Sequence, residues 1–358
     1  MRWMKEDLLS IRNRSLPAWN RTNNSMNTGT KTRDYLFDNY KVFLIFLVVV
    51  GHFVGPSVSK NTFLMVLKWI IVSFHMPAFI FISGYFAKRD LPFLTVVKKL
   101  AIPYIAYEIL YYLWYVFIVH KDTGLRLLKP KFTLWYLFAL FLWRVVTPYV
   151  RKIPGHLVLA FIAGFLIGFS IMENNYLTIP RALVYYPFYL AGVSFDRELL
   201  NKFRNKNGRI LAIGIIVIII TLLAFIGINK LAPMQIFYGR YNYTSMKLGS
   251  LEGLFWRLIL YVFGFLMTFA VMILMTDKKL SFSYIGTRTM GIYLFHGLLY
   301  TYLENATTIL NNRNTFGETI LLLGFCVLIT LLFSLKPFND FTCFFGNINL
   351  SHKKWTAR

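Results

Sequence analysis

Acidic residues are scarce in this sequence, with 15 Asp and Glu against 39 Lys and Arg and a formal net charge of +24. Charge of either sign is scarce too. Charged residues make up 15% of the 358, against roughly a quarter in an ordinary soluble domain, while 57% are hydrophobic. Cysteine is almost missing: Cys326 and Cys343 lie in or beside the last apolar segment, and they provide neither a disulfide framework nor a metal-ligand spacing. No GxSxG elbow, Walker-type loop, HExxH or CxxC occurs, so serine-hydrolase, nucleotide-hydrolysing and metal chemistries find no support. No internal repeat is visible, which removes the signature of an inverted-repeat transporter. The first forty residues are polar and basic and lack an apolar h-region, so no cleavable signal peptide is expected.

What the sequence does hold is a series of apolar runs, at about 40–56, 63–86, 98–119, 132–150, 156–172, 180–195, 209–228, 254–275, 284–303 and 319–335. Several fall short of the ~20 residues of an ideal membrane span. Short, imperfect spans suit a bundle with a polar centre better than independent lipid-facing rods. Strands are excluded at membrane depth, where unpaired backbone groups are too costly.

The basic residues lie in the turns between these runs, so they read as topology signals and not as a nucleic-acid surface. With a cytoplasmic N-terminus, every inner turn is basic: Lys88, Arg89, Lys98 and Lys99; Arg151 and Lys152; Arg197 to Arg209; Lys278 and Lys279. Lys121, Arg126, Lys129 and Lys131 are the exception on the outer side. The expected fold is therefore all-α: a multi-pass bundle of about ten spanning helices with both termini cytoplasmic. Residues 1–34 form a basic cytoplasmic tail able to touch lipid headgroups, 35–336 the membrane domain and 337–358 a short cytoplasmic tail.

Polar groups inside apolar spans are expensive and mark function. The first helix carries Asp38-Asn39-Tyr40-Lys41, then an apolar run to Gly51-His52. Eleven residues separate Lys41 from His52, which returns them to nearly one helix face with a rise of ~16 Å. A cation at the cytoplasmic edge and an imidazole deep in the membrane thus share a stripe. The plain alternative is a snorkelling lysine and a packing histidine. His75 and His296 fall at a similar depth by helical rise, and three histidines at one level of a bundle point to a site unless different faces separate them. In the second helix Pro77 frees the carbonyl of Ser73 and kinks the chain. Ser83 and Gly84 suit close helix packing. Glu108 lies mid-span in the third helix and needs a basic partner, structural or catalytic. Arg181 and Arg257, near the outer ends of their helices, suit a sugar or an anionic acceptor, or else snorkel. Trp135 and Tyr136 open the fourth span, where interface anchoring is the ordinary role.

With these residues in place, the chain resembles the membrane-bound acyltransferase-3 family, most closely its fucose 4-O-acetylase-like branch. The elements that carry the likeness are Asp38-Asn39-x-Lys41 leading to Gly51-His52, Phe74-His75-Met76-Pro77-x-Phe79, Ser83-Gly84-Tyr85-Phe86, Leu134-Trp135-Tyr136-Leu137, Arg181 before Tyr186-Pro187-Phe188-x-x-Ala191-Gly192, and Tyr293-x-x-His296. They follow the family's order from residue 33 to about 300. The basic position is Lys41 here and not Arg, which offers a point charge without a bidentate fork.

The resemblance implies transfer of an acyl group from cytoplasmic acyl-CoA to a carbohydrate hydroxyl, with acetyl-CoA or another acyl-CoA as cosubstrate and no permanently bound cofactor. It implies His52 as general base or transient acyl carrier, His75 and His296 as its supports, and Lys41 with Asp38 at the CoA phosphates. Acceptor contacts are assigned to Arg181, Trp135, Ser83, Tyr85 and Glu108. Partners are then a glycan or lipid-linked sugar, membrane lipids and other polysaccharide-synthesis proteins, in the cell membrane. Two other classes compete: a polysaccharide or lipid-linked sugar transporter using the histidines as a proton relay, and a membrane sensor or scaffold. The transporter is disfavoured by the lack of repeats and paired intramembrane acids, the scaffold by the cost of the polar stripe.

Overall fold

The computed structural model describes residues 34–172 and 175–346; most of the expected N-terminal tail and the end of the C-terminal one lie outside them. Among the described residues there is no strand. The helices are α1 (Tyr35–Phe53), α2 (Thr62–Tyr85), α3 (Phe93–Ile118), α4 (Trp135–Val150), α5 (His156–Leu166), α6 (Ile179–Ser194), α7 (Arg197–Phe203), α8 (Lys206–Ile228), α9 (Ser250–Leu274), α10 (Thr289–Ala306), α11 (Phe316–Phe333) and α12 (Lys336–Gly346). Each of the ten apolar runs forms helix. Seven helical stretches are long and apolar enough to cross a membrane, namely α1, α2, α3, Phe132–Val150, α8, α9 and α11. The chain is an all-helical, multi-pass membrane protein.

Two boundaries differ from the sequence reading for a physical reason. α1 starts at Tyr35 and not near residue 40, because Asp38 and Asn39 are buried inside the bundle. Asn39 is satisfied there by distant groups: its Nδ2 donates to the carbonyls of Thr276 at 2.9 Å and Lys278 at 3.0 Å, and its Oδ1 accepts from Ser283 Oγ at 2.5 Å. A polar residue with three such partners no longer marks a helix end. Residues 336–346, expected within or beside a tail, form α12, which packs on α3 and α10. Phe338, Phe341, Thr342 and Phe345 recur at helical spacing. Phe338 meets Phe295 at 4.8 Å between ring centroids, and Tyr107 Oη donates to the Thr342 carbonyl at 3.0 Å.

α2 is the central helix, packed against α1, α6, α8 and α9. Its tightest crossing is with α6, where Gly84 and Gly192 face one another's backbones. A Cβ on Gly84 would overlap the Tyr189 carbonyl, and one on Gly192 would overlap the Phe81 carbonyl. Backbone has no rotamer to yield, so Gly84→Ala should cost about 1–3 kcal/mol through overpacking. The expected result is a lower thermal midpoint of the detergent-solubilised protein; an unchanged midpoint would show that the helices slide apart freely.

These contacts define two ends of the bundle. Tyr40 Oη donates to the Thr268 carbonyl at 3.0 Å, so the C-terminal part of α9 lies beside the start of α1. Lys41 lies 5.3 Å from the ring of Phe86, which follows α2, so the C-terminal part of α2 and, through the Gly84–Gly192 crossing, that of α6 lie at this same Lys41 end. At the opposite end Trp69 of α2 meets Phe237 of the α8–α9 loop at 5.8 Å. Glu108 is fully buried and pairs with Lys131, which donates to it from Nζ at 3.1 Å and from its backbone N–H at 3.0 Å. One of the exceptional outer-turn cations is thereby neutralised within the fold.

Candidate active site

A cavity of about 310 Å³ runs along α1 between α2, α3, α4 and α10. Its α1 wall is Lys41, Ile45, Val48 and His52, four positions that helical spacing puts on one face. The stripe read from the sequence is therefore real and faces an open space. The cavity rim holds Lys41, Lys99 and Arg144, with Phe86 and Leu91 beside them; His52, His75 and Trp135 also line the wall. The cavity thus joins a basic mouth to a histidine-lined interior.

Each rim cation is held differently. Lys41 Nζ pairs with Asp38 Oδ1 at 3.0 Å and lies 5.3 Å from the Phe86 ring centroid. Asp38 is buried and is not among the cavity-lining residues, so it positions Lys41 and does not itself face the space. Lys99 lies in a π-helical turn over Val97–Ala101, where an extra residue per turn shifts the register of α3. Arg144 donates to the carbonyls of Phe86 (3.1 Å), Ala87 (3.1 Å) and Arg89 (3.0 Å), fixing the segment that follows α2. Sequence reasoning missed Lys99 and Arg144 as site residues. Arg144 carried a usable signal, as the one cation inside the fourth apolar run.

The histidines converge. The His52 and His296 ring centroids are 5.5 Å apart, and His75 shares the cavity wall with His52. His75 Nδ1 bonds the Ile71 carbonyl at 2.6 Å and His296 Nδ1 the Ile292 carbonyl at 2.7 Å. A carbonyl only accepts, so both rings carry their proton on Nδ1. In the neutral ring Nε2 then offers a lone pair, and Nε2 of the fully buried His296 has no partner. His52 is further enclosed by Phe132 at 4.7 Å and Tyr300 at 5.6 Å, while Tyr300 Oη donates to Glu304 Oε1 at 2.7 Å. Phe132 has a left-handed backbone (φ 42°), which is costly for an aromatic residue by about 1–3 kcal/mol. The fold sustains that strain next to His52. Tyr293 Oη donates to the adjacent Thr133 carbonyl, tying α10 to the start of α4.

Of the residues assigned to the acceptor, Ser83 and Trp135 line the cavity. Ser83 Oγ donates to the Phe79 carbonyl at 2.9 Å and lies 2.5 Å from Tyr136 Oη. Arg181 does not line the cavity but sits against its wall, its guanidinium 4.6 Å from the Trp135 ring centroid. Tyr85 and Glu108 are placed elsewhere: Tyr85 stacks on Phe37 at 4.3 Å, and Glu108 holds Lys131. Helical position gave their depth but not the face they point to. Among the described residues, no three His, Cys, Asp or Glu side chains are grouped so as to hold a metal ion.

A helical membrane bundle with a histidine-lined cavity and a basic mouth defines a class, and comparison with known proteins identifies the family. Residues 34–335 match the acyltransferase domain of the acyltransferase-3 family (Acyl_transf_3), and the chain belongs to that family. It is also similar to the nodulation protein NolL of Sinorhizobium fredii (strain NBRC 101917 / NGR234), at 42% identity over 66 residues, which is 18% of each chain. The chain thus spans about a fifth of the length of that relative. No solved structure matches it.

Proposed function

We propose that this protein is an O-acyltransferase of the cell membrane that moves an acetyl or similar acyl group from cytoplasmic acyl-CoA to a hydroxyl of a cell-surface or lipid-linked glycan. In this reading ten helices cross the membrane, both termini are cytoplasmic, and the chain falls in the fucose 4-O-acetylase-like branch. The observation that carries it is the single α1 stripe, with Lys41 at a basic mouth and His52 further along the same cavity wall.

The ~16 Å between them suits a donor with phosphates at one end and a thioester at the other. Lys41, Lys99 and Arg144 hold the phosphates through charge-assisted hydrogen bonds. The pantetheine arm lies along the apolar wall of Ile45 and Val48. His52 takes the proton of the attacking hydroxyl as its oxygen bonds the thioester carbon. The tetrahedral intermediate then collapses, the carbon–sulfur bond breaks, and CoA leaves as a thiol with that proton, so ester and free CoA are the products. A covalent acyl-imidazole on His52 is the two-step form of the same chemistry.

The test compares membranes with and without the protein, supplied with labelled acetyl-CoA. Label should enter the surface polysaccharide as an alkali-labile ester only where the protein is present. Equal incorporation in both would overturn the proposal.

A further inference from the structure

At the end of the bundle opposite Lys41, three arginines gather without an acid among them. Arg181, near the start of α6, covers the Trp135 ring that forms the cavity wall. Arg240, in the α8–α9 loop, stacks on Tyr241 at 4.5 Å and donates to its hydroxyl. Arg181 and Arg240 are joined through Tyr185, which stacks on Trp135 at 5.8 Å and whose ring a Cβ on Gly239, next to Arg240, would meet. Arg257, on α9 behind them, is 1% exposed; its Nη2 donates to the Tyr241 carbonyl at 3.5 Å, and its guanidinium lies 5.7 Å from the Tyr243 ring centroid. Its Nε and Nη1 are buried without partners, as are Nε of Arg181 and Nε of Arg240. Among the described residues no Asp or Glu pairs with any of the three.

Like charges gathered around a buried arginine, without a carboxylate between them, are costly to hold together. Lipid headgroups do not account for Arg257, which is shut off from the surface. Stacking on Trp135 and Tyr241 orients the two outer guanidiniums and leaves the Nε–H of each without a partner. A fork without a carboxylate of its own is suited to receive one from a ligand, or a phosphate.

We infer that Arg181 and Arg240, with Arg257 behind them, form an oxyanion subsite for an acidic group of the acceptor glycan. That group is a sugar carboxylate or the phosphate that joins a sugar to its lipid carrier. The inference rests on the reading of the chain as a glycan acyltransferase and adds the acceptor's charge. The subsite and the reaction cavity share Trp135 as a common wall. An acceptor held by its acid on Arg181 therefore has its nearby hydroxyls delivered to the histidine side of Trp135. Glycans without an acid lose this anchor and bind weakly.

The experiment measures equilibrium binding to the purified full-length protein. The probes are a galacturonate trisaccharide with its carboxyl-reduced neutral counterpart, and polyprenyl phosphate with polyprenol. In at least one pair the charged probe should bind about tenfold more tightly, the expected scale of a charge-assisted fork. Preference within the first pair identifies the carboxylate, and within the second the lipid-linked phosphate. Arg181→Gln/Arg240→Gln should remove the preference, and Arg181→Lys/Arg240→Lys should keep part of it by charge alone. Equal binding of charged and neutral probes to the wild-type protein would overturn the inference, even if the variants fail to fold. So would a preference that survives the double Gln change. Charge preference in a protein that transfers no acyl group would keep the subsite and remove the acyltransferase reading; transfer to acidic and neutral glycans alike would do the reverse.

Discussion

His52→Ala should lower acyl transfer about a thousandfold while acyl-CoA binds as before. Removing a positioned general base costs 10²–10⁴ in rate, and His52 lies ~16 Å along the helix from Lys41, the proposed contact of the donor's phosphates. The folded protein should persist, because His52 is only partly buried and faces a cavity, with ring contacts on one side. Free imidazole should restore part of the lost rate by entering the space the side chain leaves. His296→Ala should act through His52 and slow the reaction less, since His296 does not line the cavity. The decisive measurement is single-turnover transfer from labelled acetyl-CoA in His52→Ala. Normal turnover there would remove His52 from the chemistry.

Lys41→Gln/Lys99→Gln should raise the KM for acyl-CoA about a hundredfold with kcat nearly unchanged. Each hydrogen bond to a charged group contributes about 1.5–3 kcal/mol, and roughly tenfold per lysine is the lower part of that range. Gln at position 41 can still hydrogen-bond Asp38, so the start of α1 keeps a neighbour for its buried carboxylate. A donor without nucleotide phosphates sharpens the test. With acetyl-pantetheine the wild type and the variant should be alike, and neither should bind it more tightly than the variant binds acetyl-CoA. Added salt should also weaken acetyl-CoA binding in the wild type more than in the variant. An unchanged KM would mean that the phosphates dock elsewhere.

Much of this site can be read from spacing alone. An eleven-residue step puts Lys41 and His52 on one face whatever surrounds the helix, and helical rise places His75 and His296 at the depth of His52. Depth is carried by sequence position, whereas the direction a side chain faces is carried by neighbours. Glu108 and Tyr85 therefore point away from the cavity although their depth suits it. Lys99 reads as one more basic inner-turn residue; only the π-helical turn beneath it turns it to the rim. The start of α1 was displaced by Asn39, whose partners lie at Thr276, Lys278 and Ser283, more than two hundred residues away. The arginine cluster depends on a long loop bringing Arg240 to Arg181, and no periodicity describes a loop. The ten apolar runs were legible because composition and length decide them. Whether the shorter ones cross the membrane depends on what packs around them.

The Nδ1 anchors of His75 and His296 have a consequence for traffic. A ring that passes protons along a wire must receive on one nitrogen and release from the other, then reset before the next passage. Here each ring's Nδ1 proton is committed to a carbonyl of its own helix, one turn back. Every passage would break that bond and turn a bare Nδ1 lone pair onto the carbonyl, leaving a buried ring nitrogen unmet at a cost of about 1–3 kcal/mol. The two anchored rings are thus made to keep their protons, while among the described residues no such anchor holds His52, the ring proposed to exchange its proton in each catalytic cycle. Under the proposed reaction, an imidazole-lined cavity built this way can take up a proton at His52 without its neighbours forming a proton wire.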